Sequence, residues 1–488
     1  SKHLKKNGLW ATGITGSARD RLFTTTSKRI PYSITKGVRT IKERVYSRYL
    51  QKKGASKPLS EWSQFLSKMM AVEGKPEALD DMMVLDLSYA NFSGNVTASF
   101  FAEAGAEVIK VEPPEGDPSR ILSPYGANIQ GVGVPYLMES RNKRHITLDL
   151  AGAEGRENLK RLAKQADILI ETFAPGEMDE WGIGYRQLRE FNPGLIYIAI
   201  TPYGHYTARG QEAAHTPWTD LTSQAESGLA ALIGDLPSAP EPYNWPTRAG
   251  FYAAGYTSAV GAACGGLIAS LFKRRTGEGQ MIDIAAADAF ASCVGFPPTI
   301  GYVWKKPRIR YGTLDYGLCP YGFFKCKDGY VAIACFRDQD FRAALKLLGK
   351  WKIEEDWKTL LDRITDDIDK VLELNGIVEK AVADLTYGEI NEKFSTYSVK
   401  AARSKWRGGG LPVTTKMLTA KDVLQDKHWQ VRGTFNKIEH PAYGVVTLPI
   451  TGKMSRTPLR IKWISAGIGE DNDYIFKKYG LSAKSDSA

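Results

Sequence analysis

Residues 82–112 read MMVLDLSYANFSGNVTASFFAEAGAEVIKVE. Met82 to Leu87 is a short apolar run, the length of a buried strand rather than a helix. Asn95 to Ala104 has helical character, and Ala106 to Glu112 is a second strand rich in Val and Ile. A strand, a helix and a strand in so short a span imply two parallel strands joined by a helical crossover.

The pattern continues outward. His145 to Leu148, Ile168 to Ile170 and Leu195 to Ile200 read as further strands, and Glu154 to Gln165 reads as a helix between them. This spacing predicts an α/β fold, a doubly wound parallel sheet. After the first strand stands Ser88-Tyr89-Ala90-Asn91, with no GxGxxG turn. A nicotinamide-dependent enzyme would need that turn to seat a pyrophosphate, so this class is excluded.

The chain has 488 residues, 43% hydrophobic and 24% charged, which is enough for two or three domains of ordinary globular composition. The most apolar helix-like run, Ala259 to Phe272, is interrupted by Gly261, Gly265 and Gly266, so no membrane span is expected. No apolar signal segment lies near Ser1, which predicts a cytoplasmic protein. The five cysteines form no CxxC pair, and the six histidines show no HxxxH or HExxH spacing. Inert thiols and no metal site are therefore expected.

The net charge of +11 is unevenly spread. Residues 1–60 hold fifteen Lys or Arg against Asp20 and Glu43, so the remainder is close to neutral. This basic arm has the composition of a transit peptide or a nucleic-acid tail. However, Val38, Ile41, Val45 and Tyr49 recur at helical spacing, and the body offers no nucleic-acid module. The expected role is an arm that packs on a partner subunit, with neither nucleic acid nor membrane as partner.

A series of short motifs runs in order along the chain. It comprises GAEVIKVEP (residues 105–113), GDPSR (116–120), NKRHITLDL (142–150), ETFAPG (171–176), NPGLIY (192–197), DLTSQAESG (220–228) and KRRTGEGQMIDI (273–284). In this order they resemble family III CoA-transferases (CaiB/BaiF type), across roughly Met82 to Arg460. The resemblance implies a large α/β domain over 81–311, a smaller α+β domain over 312–426, and a return to the large domain over 427–488. The arm, 1–80, lies outside it. Two chains of this family interlock like links. Gly408-Gly409-Gly410 reads as a turn in the smaller domain.

The resemblance also implies a reaction. A carboxylate attacks a donor thioester, expels the CoA thiolate and forms a mixed anhydride. The thiolate returns to the enzyme-side carbonyl, freeing the donor acid, and the acceptor carboxylate then takes over the CoA by the same two steps. CoA thioesters are substrates, and no permanently bound cofactor is needed. CoA-binding candidates at matching positions are Ala90, Asn91, Lys143, Arg144, Leu148, Asp149, Thr172, Phe173 and Ala174.

One departure stands out. The family's nucleophilic Asp lies about twenty-one residues before the Thr of TGxGQ, here Thr276, and Gly255 occupies that position. No acid lies between Pro246 and Thr276. Glu180 and Pro217 replace basic residues that meet CoA in the family. Asp220 is the fallback nucleophile, although an N-cap role suits it better. The expectation is a non-nucleophilic subunit beside a homologous catalytic subunit, as in 2-benzylsuccinate CoA-transferase with succinyl-CoA as donor. The alternatives are an active homodimeric transferase or acyl-CoA racemase with another nucleophile, and a non-enzymatic structural or regulatory relative.

Overall fold

The computed structural model describes residues 58–214, 219–305, 308–315, 318–349, 363, 367–394, 413–450, 452–464 and 467–482. The arm through residue 57, Pro217 and Gly408 to Gly410 lie outside the described residues. The helix Pro58–Met69 is described by itself, with Trp62 and Phe65 stacked at 5.5 Å on its exposed side.

Residues 68–394 and 410–488 form one compact unit. Its centre is a six-stranded parallel sheet. The strands are β1 (Met83–Leu87), β2 (Glu107–Glu112), β3 (Lys143–Thr147), β4 (Ile168–Glu171), β5 (Ile196–Thr201) and β6 (Met281–Ala285). The spatial order is β3-β2-β1-β4-β5-β6. β1 is central, with Val84 beside Val108 on one side and Ile168 on the other. Both faces are covered, which is why β1 is buried along its whole length and reads as a continuous apolar run.

On one face pack α1 (Phe92–Glu103) and the later helix Ala253–Thr276, against Val84, Val108, Ile170 and Ile198. On the other pack α2 (Ala153–Ala163) and C-terminal residues, against Leu85, Ile109, Leu169 and Tyr197. α3 (Asp220–Glu226) precedes α4, the 24-residue helix Ala253–Thr276. By length and composition α4 could cross a bilayer, which its glycine-broken sequence did not suggest. Its Ala and Gly face explains the composition. Ala259, Ala262, Gly266 and Ala269 are buried toward the sheet, and a Cβ at Gly266 would lie 2.8 Å from the Phe101 ring. The opposite stripe of Val260, Leu267, Ile268, Leu271 and Phe272 is exposed.

An antiparallel three-stranded sheet follows, in the order β9-β8-β7. It is built from β7 (Tyr321–Cys326), β8 (Gly329–Ala334) and β9 (Val413–Lys416). α5 (Asp338–Leu347) and α6 (Ile368–Val382) share a separate core with it, around Phe324, Val331, Phe341 and Leu374. The hairpin β10 (Phe435–His440) and β11 (Gly444–Pro449) comes next. The last helix, α7 (Asn472–Tyr479), returns to the parallel sheet. There Asp471 accepts from the His145 backbone N–H at 2.8 Å, and Ile475 enters the core.

Candidate functional site

The strand order changes direction between β1 and β4, so their carboxyl ends open a crevice rather than a continuous ladder of crossovers. Five of the sequence candidates meet there. Thr172 Oγ1 accepts the Tyr89 backbone N–H at 3.0 Å, tying the loop after β4 to the loop after β1. The rings of Tyr89 and Phe173 stack at 6.1 Å, and Ala174 follows directly. Ala90 has a positive φ of 51°, and its N–H donates to Asp117 Oδ1 at 3.1 Å. Asn91 caps α1, accepting the Ser93 N–H at 2.8 Å. α1 can approach this closely because residue 94 is glycine: a Cβ there would sit 2.5 Å from Ser88 Cβ and 2.8 Å from Thr172 Cγ2.

Four candidates lie elsewhere. Lys143 is fully enclosed. Its Nζ pairs with Asp86 at 2.9 Å and donates to Asn95 O at 2.7 Å, so it has no accessible surface to offer a ligand. Burial outweighs its partners and lowers its pKa to about 8. Arg144 pairs with Asp471 at 2.8 Å and lies over the rings of Trp463 and Tyr474. Leu148 belongs to the core. Asp149 holds the Ala151 N–H in the turn before α2. Glu180 ends the one-turn helix Glu177–Glu180.

Beneath the crevice is a charge network that sequence reading missed. Lys110 lies 3.7 Å from Asp86 and 3.1 Å from Asp117, and its Nζ also bonds the Ser88 carbonyl. Burial alone would raise the Asp86 carboxyl, but Lys110 and Lys143 pull it below its ordinary value. An Asp within an apolar strand and a Lys in the neighbouring strand were the available signal.

The position of Gly255 adjoins this crevice. A Cβ built on it would lie 3.5 Å from Ser93 Oγ and 3.8 Å from Asp220 Oδ1, both ordinary contact distances. A Cβ is therefore accommodated at this position. Asp220 does not cap its own helix: Thr219 does, through a capping box with Thr222. The Asp220 carboxylate instead reaches the first turn of α4, accepting the Gly255 N–H at 2.9 Å, and takes the Gln224 Nε2 at 2.6 Å. Gln224 in turn accepts the Ala249 N–H at 2.8 Å. Phe92 stacks on Tyr252 at 4.7 Å and meets Tyr256 edge-on at 5.5 Å, so aromatic rings wall the same place. Phe251 and Tyr252 both have positive φ, an unusual backbone for such residues at a helix entry.

The sequence profile of CoA-transferase family III matches residues 79–472, most of the chain. The chain belongs to CoA-transferase family III. Among the curated relatives of family III, succinyl-CoA–D-citramalate CoA-transferase from Chloroflexus aurantiacus is 28% identical over 410 residues, covering 83% of this chain and 95% of the relative. The alpha subunit of succinyl-CoA–L-malate CoA-transferase from the same organism is 30% identical over 401 residues, covering 80% and 86%. A CAIB/BAIF family protein from Brucella suis has the same fold, with a TM-score of 0.67 at 25% identity over 83% of this chain and all of that one. The parallel sheet and added small sheets are thus the family III fold, and CoA thioesters are the family's substrates.

Proposed function

We propose that this chain is the non-reacting subunit of a heteromeric family III enzyme that moves CoA from succinyl-CoA to a carboxylic acid such as benzylsuccinate. One observation carries the reading. Where the reaction needs a carboxylate, the chain has Gly255, and the backbone there is intact and already bonded to Asp220. Glycine cannot form an anhydride, so the nucleophile has to come from a homologous partner. A related alpha subunit gives precedent for a two-subunit enzyme. The exposed apolar stripe of α4 supplies a surface for an interlocking partner, and the basic arm adds apolar anchors for it. The rings of Phe92, Tyr252 and Tyr256 beside Gly255 suit an aryl-bearing acid.

The test is to incubate the assembled enzyme with succinyl-CoA, trap the acyl species with hydroxylamine or borohydride, and map it by mass spectrometry. Labelling confined to the partner is expected. Labelling of Asp220 would support the second reading, an active homodimer, which the 3.8 Å between Asp220 Oδ1 and the Cβ position of residue 255 favours. Failure of the assembly to bind CoA would leave a structural role only.

A further inference from the structure

A cavity lies on the face of the sheet away from α4. It has a volume of about 330 Å³ and is lined by Glu171, Met178, Tyr185, Tyr197, His205 and Met281, with the Asp179–Arg186 ion pair also on its wall. Glu171 ends β4 but points away from Ile170, toward the Leu169 and Tyr197 side of the sheet. Gly255 and α4 sit on the Ile170 side, so this cavity is apart from the Gly255 position, although Ala174 of the crevice loop also lines it.

The polar floor of the cavity is underused. Among the described residues Glu171 is buried with no cationic partner in hydrogen-bond contact, and the Tyr197 hydroxyl donates to it. Its Oε2 accepts the Phe173 N–H at 2.6 Å. His205 Nε2 lies 3.7 Å from Glu171 Oε1, too far for a hydrogen bond, and it is buried with no protein hydrogen-bond partner among the described residues. Asp283, on the same face of β6 as Met281, holds the His205 N–H with Oδ2 at 2.9 Å, and its Oδ1 has none either. Met178, Tyr185 and Met281, with the ring of Tyr197, give the cavity an apolar wall, and the Tyr197 hydroxyl already bonds Glu171.

The surrounding charge is one-sided. Facing Glu171 are Glu177 from the following turn, Asp179 and Arg186 from the flanking helices, Tyr197 from β5, His205 from the loop after β5, and Asp283 from β6. Three carboxylates stand against one guanidinium, which is itself paired with Asp179. Burial pushes the Glu171 carboxyl up to about 8 against the hydrogen bonds from the Phe173 N–H and Tyr197, with Glu177 and Asp283 adding to the rise. Burial keeps His205 below its ordinary value, so its ring is neutral at pH 7.

We propose that this cavity binds a small organic cation, a primary ammonium group on a short apolar chain, with Glu171 as counter-ion and His205 Nε2 accepting one ammonium N–H. The negative surroundings select a cationic head over a carboxylate. The Met and Tyr wall takes the chain, and the volume is at the small end of ligand pockets. On binding, the protonated Glu171 releases its proton to solvent, and the carboxylate pairs with the ammonium. Because Glu171 also holds the Phe173 N–H, occupancy tightens the loop that carries Thr172, Phe173 and Ala174 into the other crevice.

The experiment is calorimetric titration of the full chain with n-butylammonium, with butyrate as the opposite-charge probe, in buffers of different ionisation heat. Binding about tenfold tighter at pH about 8 than at about 6.5 is expected, with proton release approaching one at about 6.5 and about one half at about 8. Glu171→Gln, close in shape to the protonated acid, should keep the fold and lose at least about tenfold in affinity, and His205→Asn should weaken it less. Butyrate binding that tightens as pH falls would overturn the proposal. So would n-butylammonium affinity indifferent to Glu171→Gln, or no heat with the ammonium at millimolar concentration.

Discussion

The Gly255 N–H donates to Asp220 Oδ1 at 2.9 Å, joining the first turn of α4 to α3 across 35 positions of sequence. The carboxylate thus does for α4 what a capping residue does, at the positive end of a long helix. Asp220→Ala should cost about 1 kcal/mol of stability, read from urea unfolding, and Asp220→Asn much less. Gly255→Asp should fold, because its Cβ meets only ordinary contacts, but its carboxylate would face that of Asp220, which offsets the gain from an acid in a first helical turn. In the assembly it should acquire an acyl group trappable by hydroxylamine at residue 255.

Lys143 stands in a motif where a basic residue invites assignment to an anion. The structure instead encloses it with Asp86, a partner 57 positions away. Lys143→Ala should therefore cost about 3 kcal/mol, because it leaves buried Asp86 with only the more distant Lys110 as counter-charge. CoA affinity per folded molecule, measured by calorimetry, should change little.

Glu171 gives a pH dependence of definite sign. Its folded pKa of about 8 lies above its ordinary 4.5, so between these values the folded chain holds the extra proton. Stability contributed by the protonated acid is complete below about pH 4.5 and is lost as pH rises through about 8. Glu171→Gln should remove this loss. The gap between wild type and variant should be small at pH about 5 and reach a few kcal/mol, in the variant's favour, at pH about 8.5. Urea unfolding at both pH values measures it.

The second glycine of TGEGQ has a steric role. A Cβ at Gly279 would stand 2.1 Å from the Leu195 carbonyl oxygen, where backbone must pass backbone ahead of β6. Gly279→Ala should destabilise by about 2 kcal/mol or more, measured as a lowered urea midpoint.

The exposed stripe of α4 can be broken by charge. For the proposed heteromer, replacing Ile268 and Leu271 together by Glu should weaken assembly with the partner in analytical ultracentrifugation while leaving the far-UV spectrum unchanged, because both side chains are exposed in the single chain.

What could be read from sequence followed the range of the interactions. Strands β1 and β2 and the helix between them were legible, because their apolar runs and spacing are local. The placement of β4 beside β1 was not, since it joins Val84 to Ile168 through backbone bonds that leave no mark in composition. The glycine at 255 was visible by its spacing to Thr276, but its bond to Asp220 was hidden by the intervening loop. Thr219 was overlooked as the cap of α3, although its hydroxyl fits that role as well as the neighbouring acid does. Glu171 looked like an ordinary strand end, because burial on one face of a sheet is decided by elements far along the chain.

The fit of a Cβ at residue 255 has an evolutionary consequence. Glycine and aspartate codons can differ by one middle base, and the backbone there bears a Cβ without steric conflict. The fold therefore sets no barrier between a reacting and a non-reacting version of the gene. After duplication, one copy can give up the chemistry without changing the shape by which its product fits the other, and selection can keep the pair together for assembly alone.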